Sequence, residues 1–554
     1  MTTVYDPEKL KMALNELGII PMDKLDATLE KSKEKKIPFD EVLLRDDLIS
    51  DVDLGRTISE TIGVPYAKLG DKKASQTLLT LLPETFSRRH RVVVFDDTAD
   101  GISVATNDPL DQRLINSIAK KMQKKVSPFY ATTRDVELSL AAYNRNLTEI
   151  TKTILSGAAS GDEGPIERLV YKLVEYGYRN RASDIHIEPE RFENVVRFRI
   201  DGVLHEELRL PIAIHQQVVS RIKFLGKLRT DEHMSAQDGK IQMTFEDERV
   251  DIRISIVPVI HGEVCTMRLL ASRYNQYGLT DLGMNDDDLK KVERAYKKPF
   301  GMVLSTGPTG SGKSTTMYSI LKILNTRERN IATIEDPVEY DIEGLNQIQV
   351  NTETNLTFAE GLRSILRQDP NIIYVGEIRD EETAGIAVNS ALTGHLVLST
   401  LHTNDAATTL PRFLEMKIEP YIIASTVNVI VAQRLVRRIC LRCIASYEMS
   451  VADISQVLPK DIVLKHAQGK DKLRLYKGSG CTVCHDSGYQ GRICIFEVLE
   501  VTPAIQQMVT EKKTANELKL KAIEEGMHTM VEDGFTKALL GLTSLEEVIA
   551  STKS

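Results

Sequence analysis

Residues Gly307-Pro308-Thr309-Gly310-Ser311-Gly312-Lys313-Ser314-Thr315 constrain this chain more than any other stretch. They satisfy the pattern G-x-x-x-x-G-K-[ST] at each fixed position. The apolar run Gly301 to Thr306 precedes them and reads as a buried strand, and Thr316 to Leu324 follows with the apolar spacing of a helix. Strand, glycine-rich loop and helix together make a phosphate site. Glycines let successive backbone N–H groups converge on phosphate oxygens, and the helix N-terminus adds partial positive charge. In that setting Lys313 reaches the β- and γ-phosphates, and the Ser314 hydroxyl ligates magnesium. The stretch reads as a nucleotide site.

A chain of 554 residues leaves room for about three or four domains. Its 42% hydrophobic and 27% charged residues fit a soluble globular protein. The net charge of −8 counts against a general nucleic-acid binder. Met1 to Glu8 shows no basic segment leading into an apolar core, so no signal peptide is expected. The longest apolar run, Tyr421 to Val436, is interrupted by Ser425, Asn428, Gln433 and Arg434, and reads as a buried helix rather than a membrane span. A cytoplasmic location is expected, with membranes touched only through partners.

Residues 1–66 read as a helical repeat. Leu10 to Ile20 and Phe39 to Ile49 open two similar units, with Ser50 and Asp51 as plausible helix caps. Residues 67–150 alternate strand and helix patterns, including strands over Arg91 to Phe95 and Ile102 to Thr106 and a helix over Leu110 to Met122. Residues 151–165 are rich in glycine, alanine and serine, the composition of a flexible linker. Residues 166–275 form a small α/β domain, with a helix from Pro165 to Ala182 and strands such as Val196 to Ile200 and Val250 to Ile254. Residues 276–554 form the nucleotide-binding domain, entered through a helix over Asp286 to Lys298.

Downstream of the P-loop come Ala332-Thr333-Ile334-Glu335-Asp336-Pro337-Val338-Glu339-Tyr340, then Gly361 to Pro370, Ile372 to Asp380, and Thr393-Gly394-His395 through His402-Thr403-Asn404. In this order they resemble the acidic box, Walker B segment and histidine box of the secretion-superfamily ATPases, the hexameric motors of type II secretion and type IV pili. Ala182-Ser183-Asp184-Ile185-His186-Ile187-Glu188-Pro189 and Arg199 to Val203 resemble the domain that precedes the core in that family. The resemblance implies a RecA-like α/β core, ATP hydrolysis, a homo-hexamer, an inner-membrane platform protein and a docking protein for the N-terminal region. It also implies roles. Glu377 takes the Walker B position near magnesium, Glu339 activates the attacking water, and Glu335 assists. Arg253, Arg268, Arg363, Arg367 and Arg379 supply positive charge around the γ-phosphate, for which planar guanidinium forks are well suited. His395 and His402 lie near that phosphate as sensors. Assembly of a type IV pilus is the function expected, with a pseudopilus-driving secretion motor as its nearest rival. A DNA-translocating RecA-like motor and a non-catalytic scaffold are the readings from other classes. The acidic balance and the lack of aromatic-plus-basic motifs argue against nucleic acid.

Cys440-Leu441-Arg442-Cys443 and Cys481-Thr482-Val483-Cys484 form two C-x-x-C pairs in the insertion 440–484. Four thiolates in paired turns can close a structural zinc tetrahedron, and the assembly and secretion ATPases carry a similar insertion. Metal-free thiols and a haem at Cys481 to His485 are the alternatives, although haem attachment requires export. Cys265 and Cys494 lie in apolar strands and read as core residues. Some family members bind cyclic-di-GMP through N-terminal repeats that open with an arginine. Here the openings are Lys9-Leu10-Lys11 and Pro38-Phe39-Asp40, the ends are Ser32 and Thr61, and Asp40 and Asp47 would repel phosphate. No cyclic-di-GMP site is therefore expected.

Overall fold

The structure is a computed structural model. It describes residues 4–18, 20–35, 37–46, 48–67, 69, 78, 81–98, 101–141, 147–158, 164–245, 248–271, 278–351 and 353–553. The chain divides into two compact units. One comprises Met1–Leu269 with Ile439–Tyr447 and Tyr476–Gln490; the other comprises Leu270–Arg438, Glu448–Leu475 and Gly491–Ser554.

The second unit is built on a seven-stranded sheet. Its strands run Asn346–Gln349, Ile331–Glu335, Ile372–Val375, Leu396–Leu401, Gly301–Thr306, Val427–Ile439 and Tyr489–Glu500 across the sheet. The first six are parallel neighbours. Strands buried on both faces read as continuous apolar runs, and Gly301–Thr306 is buried at every position. Successive residues turn to opposite faces. Met302 and Leu304 join a core with Leu362, Ala387 and Phe413, whereas Val303 packs with Met317, Ile320 and Val292 on the other side. Helices Phe358–Ile365, Glu381–Leu392 and Thr409–Glu415 cover one face; Lys313–Leu324 and Asp286–Tyr296 cover the other.

The run Tyr421 to Val436 departs from its sequence reading. It is a short helix, Pro420–Thr426, followed by the strand Val427–Ile439. The β-branched cluster Val427, Val429, Ile430 and Val431 fits a pleated, buried strand better than a helix. Pairing with Gly301–Thr306 makes that choice worthwhile, since the strand then covers the flank of the P-loop strand and joins it to Tyr489–Glu500.

The first unit has three parts. Helices Pro7–Glu16, Met22–Lys35, Phe39–Arg45 and Asp51–Ile62 enclose Leu10, Leu14, Leu25, Phe39, Leu43 and Ile58. Ser50 caps the last of these, its hydroxyl accepting from Asp53 N–H at 3.1 Å. A three-stranded sheet follows, Val92–Thr98, Gly101–Thr106 and Val126–Tyr130, with helix Gln112–Met122 packed against it. Then comes a six-stranded sheet over residues 184–271, whose β-strand pairs are antiparallel where their register is defined. Helix Pro165–Arg179 buries Leu169, Val170, Leu173 and Val174 in this part. Residues 159–163 of the expected linker lie outside the described residues, as do Asp47 and, where the small α/β domain meets the nucleotide-binding domain, residues 272–277.

Candidate active site

Parallel strands start at one edge of a sheet and finish at the other, so each loop leaving a strand end shares that second edge. Gly301 pairs with Leu396, and Thr306 with Leu401. The P-loop after Thr306 and the loop His402-Thr403-Asn404 therefore emerge side by side. Ile372–Val375 lies beyond the intervening strand and delivers Gly376 and Glu377 to the same edge.

The P-loop has the backbone its glycines permit. Gly307, Gly310 and Gly312 have φ of 145°, 77° and 91°, a region L-residues avoid. A Cβ on Gly307 would meet the Gln433 carbonyl at 2.4 Å. Gly312 caps helix Lys313–Leu324 with no side-chain acceptor for its first-turn N–H groups, which leaves them for an anion. The Ser311 hydroxyl is also buried with no hydrogen-bond partner in the protein. Such orphaned donors fit a bound triphosphate.

Lys313 folds back onto the loop and donates to the Gly307 and Pro308 carbonyls at 2.8 and 3.0 Å. Burial lowers its pKa, opposed by the Glu377 carboxylate. Glu377 is itself paired with Arg379 and lies 3.3 Å from His402 Nε2. Ser314 hydrogen-bonds the buried Tyr374. The P-loop residues Gly307 to Thr315, Glu377, Arg379 and His402 are thus brought to one edge.

The acidic box enters from strand Ile331–Glu335. Glu335 is 3% exposed. It accepts from Tyr318 Oη, from Thr333 Oγ1 at 2.6 Å and from Gln347 Nε2 at 3.2 Å. Burial raises its pKa; these donors pull down, and the nearby Glu339 charge pushes up. The Tyr318 hydroxyl also accepts from the Glu339 backbone N–H at 3.3 Å. Glu335 therefore reaches Glu339 through one tyrosine rather than by opening onto the site.

Three expected site residues lie elsewhere. His395 precedes strand Leu396–Leu401 at the edge where the strands begin, its carbonyl accepting from Gly301 N–H at 3.1 Å. Six residues of strand at about 3.3 Å each separate it from the P-loop edge. Its ring bonds the Ser390 carbonyl at 3.0 Å, so its assignment as a γ-phosphate sensor is withdrawn. Arg367 sits on the turn Leu366–Gln368 ahead of strand Ile372–Val375, at that same starting edge, and donates to Ser364 Oγ at 3.0 Å. Arg363 pairs with Glu360 at 3.3 Å and Glu382 at 2.5 Å on the surface. Four-residue spacing puts both arginines on one helix side, but strand polarity decides which edge they serve. Arg253 and Arg268 belong to the first unit, on adjacent strands; Arg268 Nε donates to Asp184 Oδ1 at 2.9 Å.

Gln433 is a site residue that the sequence reading missed. Fully buried, it donates to the Ser311 carbonyl at 2.9 Å and accepts from Ser305 and Thr316 hydroxyls at 3.2 and 2.8 Å. The P-loop, its strand and its helix are pinned by one amide. An isolated glutamine in an apolar run was the available signal. Thr306 and Thr403 are a second omission, their hydroxyls 2.5 Å apart, joining the P-loop strand to the His402 loop.

In the first unit Cys440, Cys443, Cys481 and Cys484 converge, all four sulfurs lying within 4.8 Å of one another. The 440–481, 443–484 and 481–484 separations are 3.9, 3.8 and 3.6 Å. A zinc tetrahedron with bonds of about 2.3 Å has edges of about 3.8 Å, so the thiols fit that ion. Backbone N–H groups of Cys481 and Gly488 donate to Cys484 Sγ at 3.2 and 3.3 Å. Cys265 and Cys494 are core residues, and burial pushes each thiol up to about 12.

Known proteins resemble this chain over most of its length. Residues 159–550 match the type II/IV secretion system protein family, and residues 62–149 match the MshEN domain. A type IV pilus assembly ATPase of Myxococcus xanthus is 36% identical, covering 97% of each chain. A type II secretion system ATPase of Vibrio cholerae is 44% identical over 71% of this chain and 76% of its own. The solved ATPase DotB of Yersinia pseudotuberculosis, at 19% identity and a TM-score of 0.52, covers 70% of this chain and 93% of that one and shares its fold.

Proposed function

Since this chain belongs to the type II/IV secretion system protein family and is an ATP-hydrolysing enzyme, we propose that its hydrolysis powers assembly of a type IV pilus. The observation that carries this reading is similarity to a pilus assembly ATPase over 97% of both chains. The 44% identity to a secretion ATPase over 71% of this chain favours a second reading, a motor for a pseudopilus. Deleting the gene and complementing it with the wild type or with Lys313→Ala separates them. The pilus reading expects surface pili to vanish and return only with the wild type; loss of protein secretion with pili intact favours the second.

In the proposed mechanism ATP lies on Gly307 to Thr315, its phosphates held by loop N–H groups and by Lys313, which exchanges its two carbonyl partners for phosphate oxygens. Ser314 and Glu377 would hold magnesium, which neutralises phosphate charge as the bond breaks. Glu339 accepts a proton from the attacking water as its oxygen bonds the γ-phosphorus; the bond to the β-phosphate oxygen breaks and ADP leaves. Glu335, through Tyr318, fixes the backbone from which Glu339 projects. Arg379 and His402 lie beside Glu377 at the phosphate edge, and Arg253 and Arg268 serve the γ-phosphate from the preceding domain, taken as residues 166–275. The reading includes a cytoplasmic homo-hexamer that docks to an inner-membrane platform protein and, through residues 1–66, to a cytoplasmic partner, with no cyclic-di-GMP site and no nucleic-acid partner. Zinc sits on the four cysteines as a structural ion. Among the described residues no helix is long and apolar enough to cross a membrane.

A further inference from the structure

The four-cysteine segment touches each part of the first unit through a different residue. Tyr476 Oη donates at 2.7 Å to Asp46, at the end of helix Phe39–Arg45, and Asp46 also pairs with Lys31. Arg442, between the first two cysteines, pairs with Glu137 on helix Thr133–Ala141. His485, directly after the last cysteine, lies 3.9 Å from Glu207 on strand Val203–Pro211, its ring 6.2 Å from that of His205. Three acidic residues from the helical repeat, the accessory domain and the small α/β domain therefore meet one short segment.

Residues 448–475 bury Ile454, Val463 and Leu475, but the knuckle itself, 439–447 with 476–490, buries few apolar side chains besides its cysteines, Ile439 and Tyr476. Its buried cluster consists of Cys440, Cys443 and Cys484, with Cys481 packed alongside. Residues that cannot build an apolar core depend on a staple, and bound metal supplies folding free energy to such sites. Arg442 and His485 are within two residues of cysteines, so whatever fixes the sulfurs also fixes the groups that face Glu137 and Glu207.

We propose that the four-cysteine segment is an intramolecular docking platform, whose partner is the acidic set Asp46, Glu137 and Glu207, and that metal on the cysteines keeps this platform formed. This rests on the zinc reading above. In the chain the segment lies between the last two strands of the seven-stranded sheet, Val427–Ile439 and Tyr489–Glu500, while its cysteine knuckle packs within the first unit. The role assigned to the ion is thereby wider than closing its own loop.

The test is hydrogen–deuterium exchange on the full chain, with bound zinc quantified, for the wild type, Cys443→Ser and Arg442→Gln. Cys443→Ser should lose its zinc, and exchange should rise about tenfold or more in residues 39–46, 133–141 and 203–211, while strand 301–306 stays protected. Arg442→Gln should keep zinc and raise exchange mainly in 133–141. Unchanged exchange in all three segments after zinc loss would overturn the proposal. If the wild type carries no zinc, the metal reading fails by itself, and Arg442→Gln decides the platform: unaltered protection at 133–141 ends it.

Discussion

Tyr318 Oη donates to the buried Glu335 carboxylate while accepting from the Glu339 N–H. One hydroxyl on the P-loop helix therefore connects a carboxylate inside the protein to the residue assigned to activate water. Tyr318→Phe removes that bridge without changing the ring packing against Tyr340 and Tyr374. A buried acceptor losing a donor costs about 1–3 kcal/mol. Denaturant unfolding should show that loss. Steady-state kinetics should show kcat falling about tenfold or more with KM for ATP little changed, since misplacing a catalytic group affects the chemical step.

Glu339→Gln keeps the side chain's shape but cannot take a proton. A positioned base contributes about 10²–10⁴-fold, so the ATPase rate should fall within that range while a fluorescent ATP analogue still binds. A wild-type turnover rate in this variant would remove Glu339 from the mechanism.

Gln433→Leu replaces the amide with an apolar group of similar size. The Ser311 carbonyl and the Ser305 and Thr316 hydroxyls then lose the partner that joins them. At about 1–3 kcal/mol for each buried group left unsatisfied, the melting temperature should drop by several degrees. The loosened loop should also raise KM for ATP. Melting with and without nucleotide distinguishes the two effects.

Protonation of Glu335 makes a signed prediction. Burial holds its folded pKa above the unfolded value, so between the two the folded chain binds more protons than the unfolded one, and stability falls as pH rises. The contribution is complete below about 4.3, the ordinary glutamate value, and is lost as pH climbs through the folded pKa. Glu335→Gln lacks this slope. Urea unfolding across that window should show the wild type losing stability relative to the variant as pH increases; an unchanged difference would count against a raised pKa.

Much of the ATPase unit was legible because its signals are local. Gly301 to Leu324 spells strand, loop and helix, and the apolar runs at Ile331, Ile372 and Leu396 each became a buried strand. The failures came where tertiary pairing decides. Tyr421 to Val436 could be apolar helix or strand by composition, and only its place beside Gly301–Thr306 selected the strand. The family resemblance put both His395 and His402 in the site, although they flank one strand whose direction sends one to each edge. Asp46, Glu137 and Glu207 escaped the sequence reading, since nothing local marks residues so far apart as neighbours of one cysteine knuckle.

Every side chain of Gly301–Thr306 is enclosed, with parallel partners on both flanks. Such a strand offers no neutral position, because any change in volume disturbs helices above or below it. Room for sequence change in this chain therefore lies away from the lysine-bearing centre, in its exposed loops.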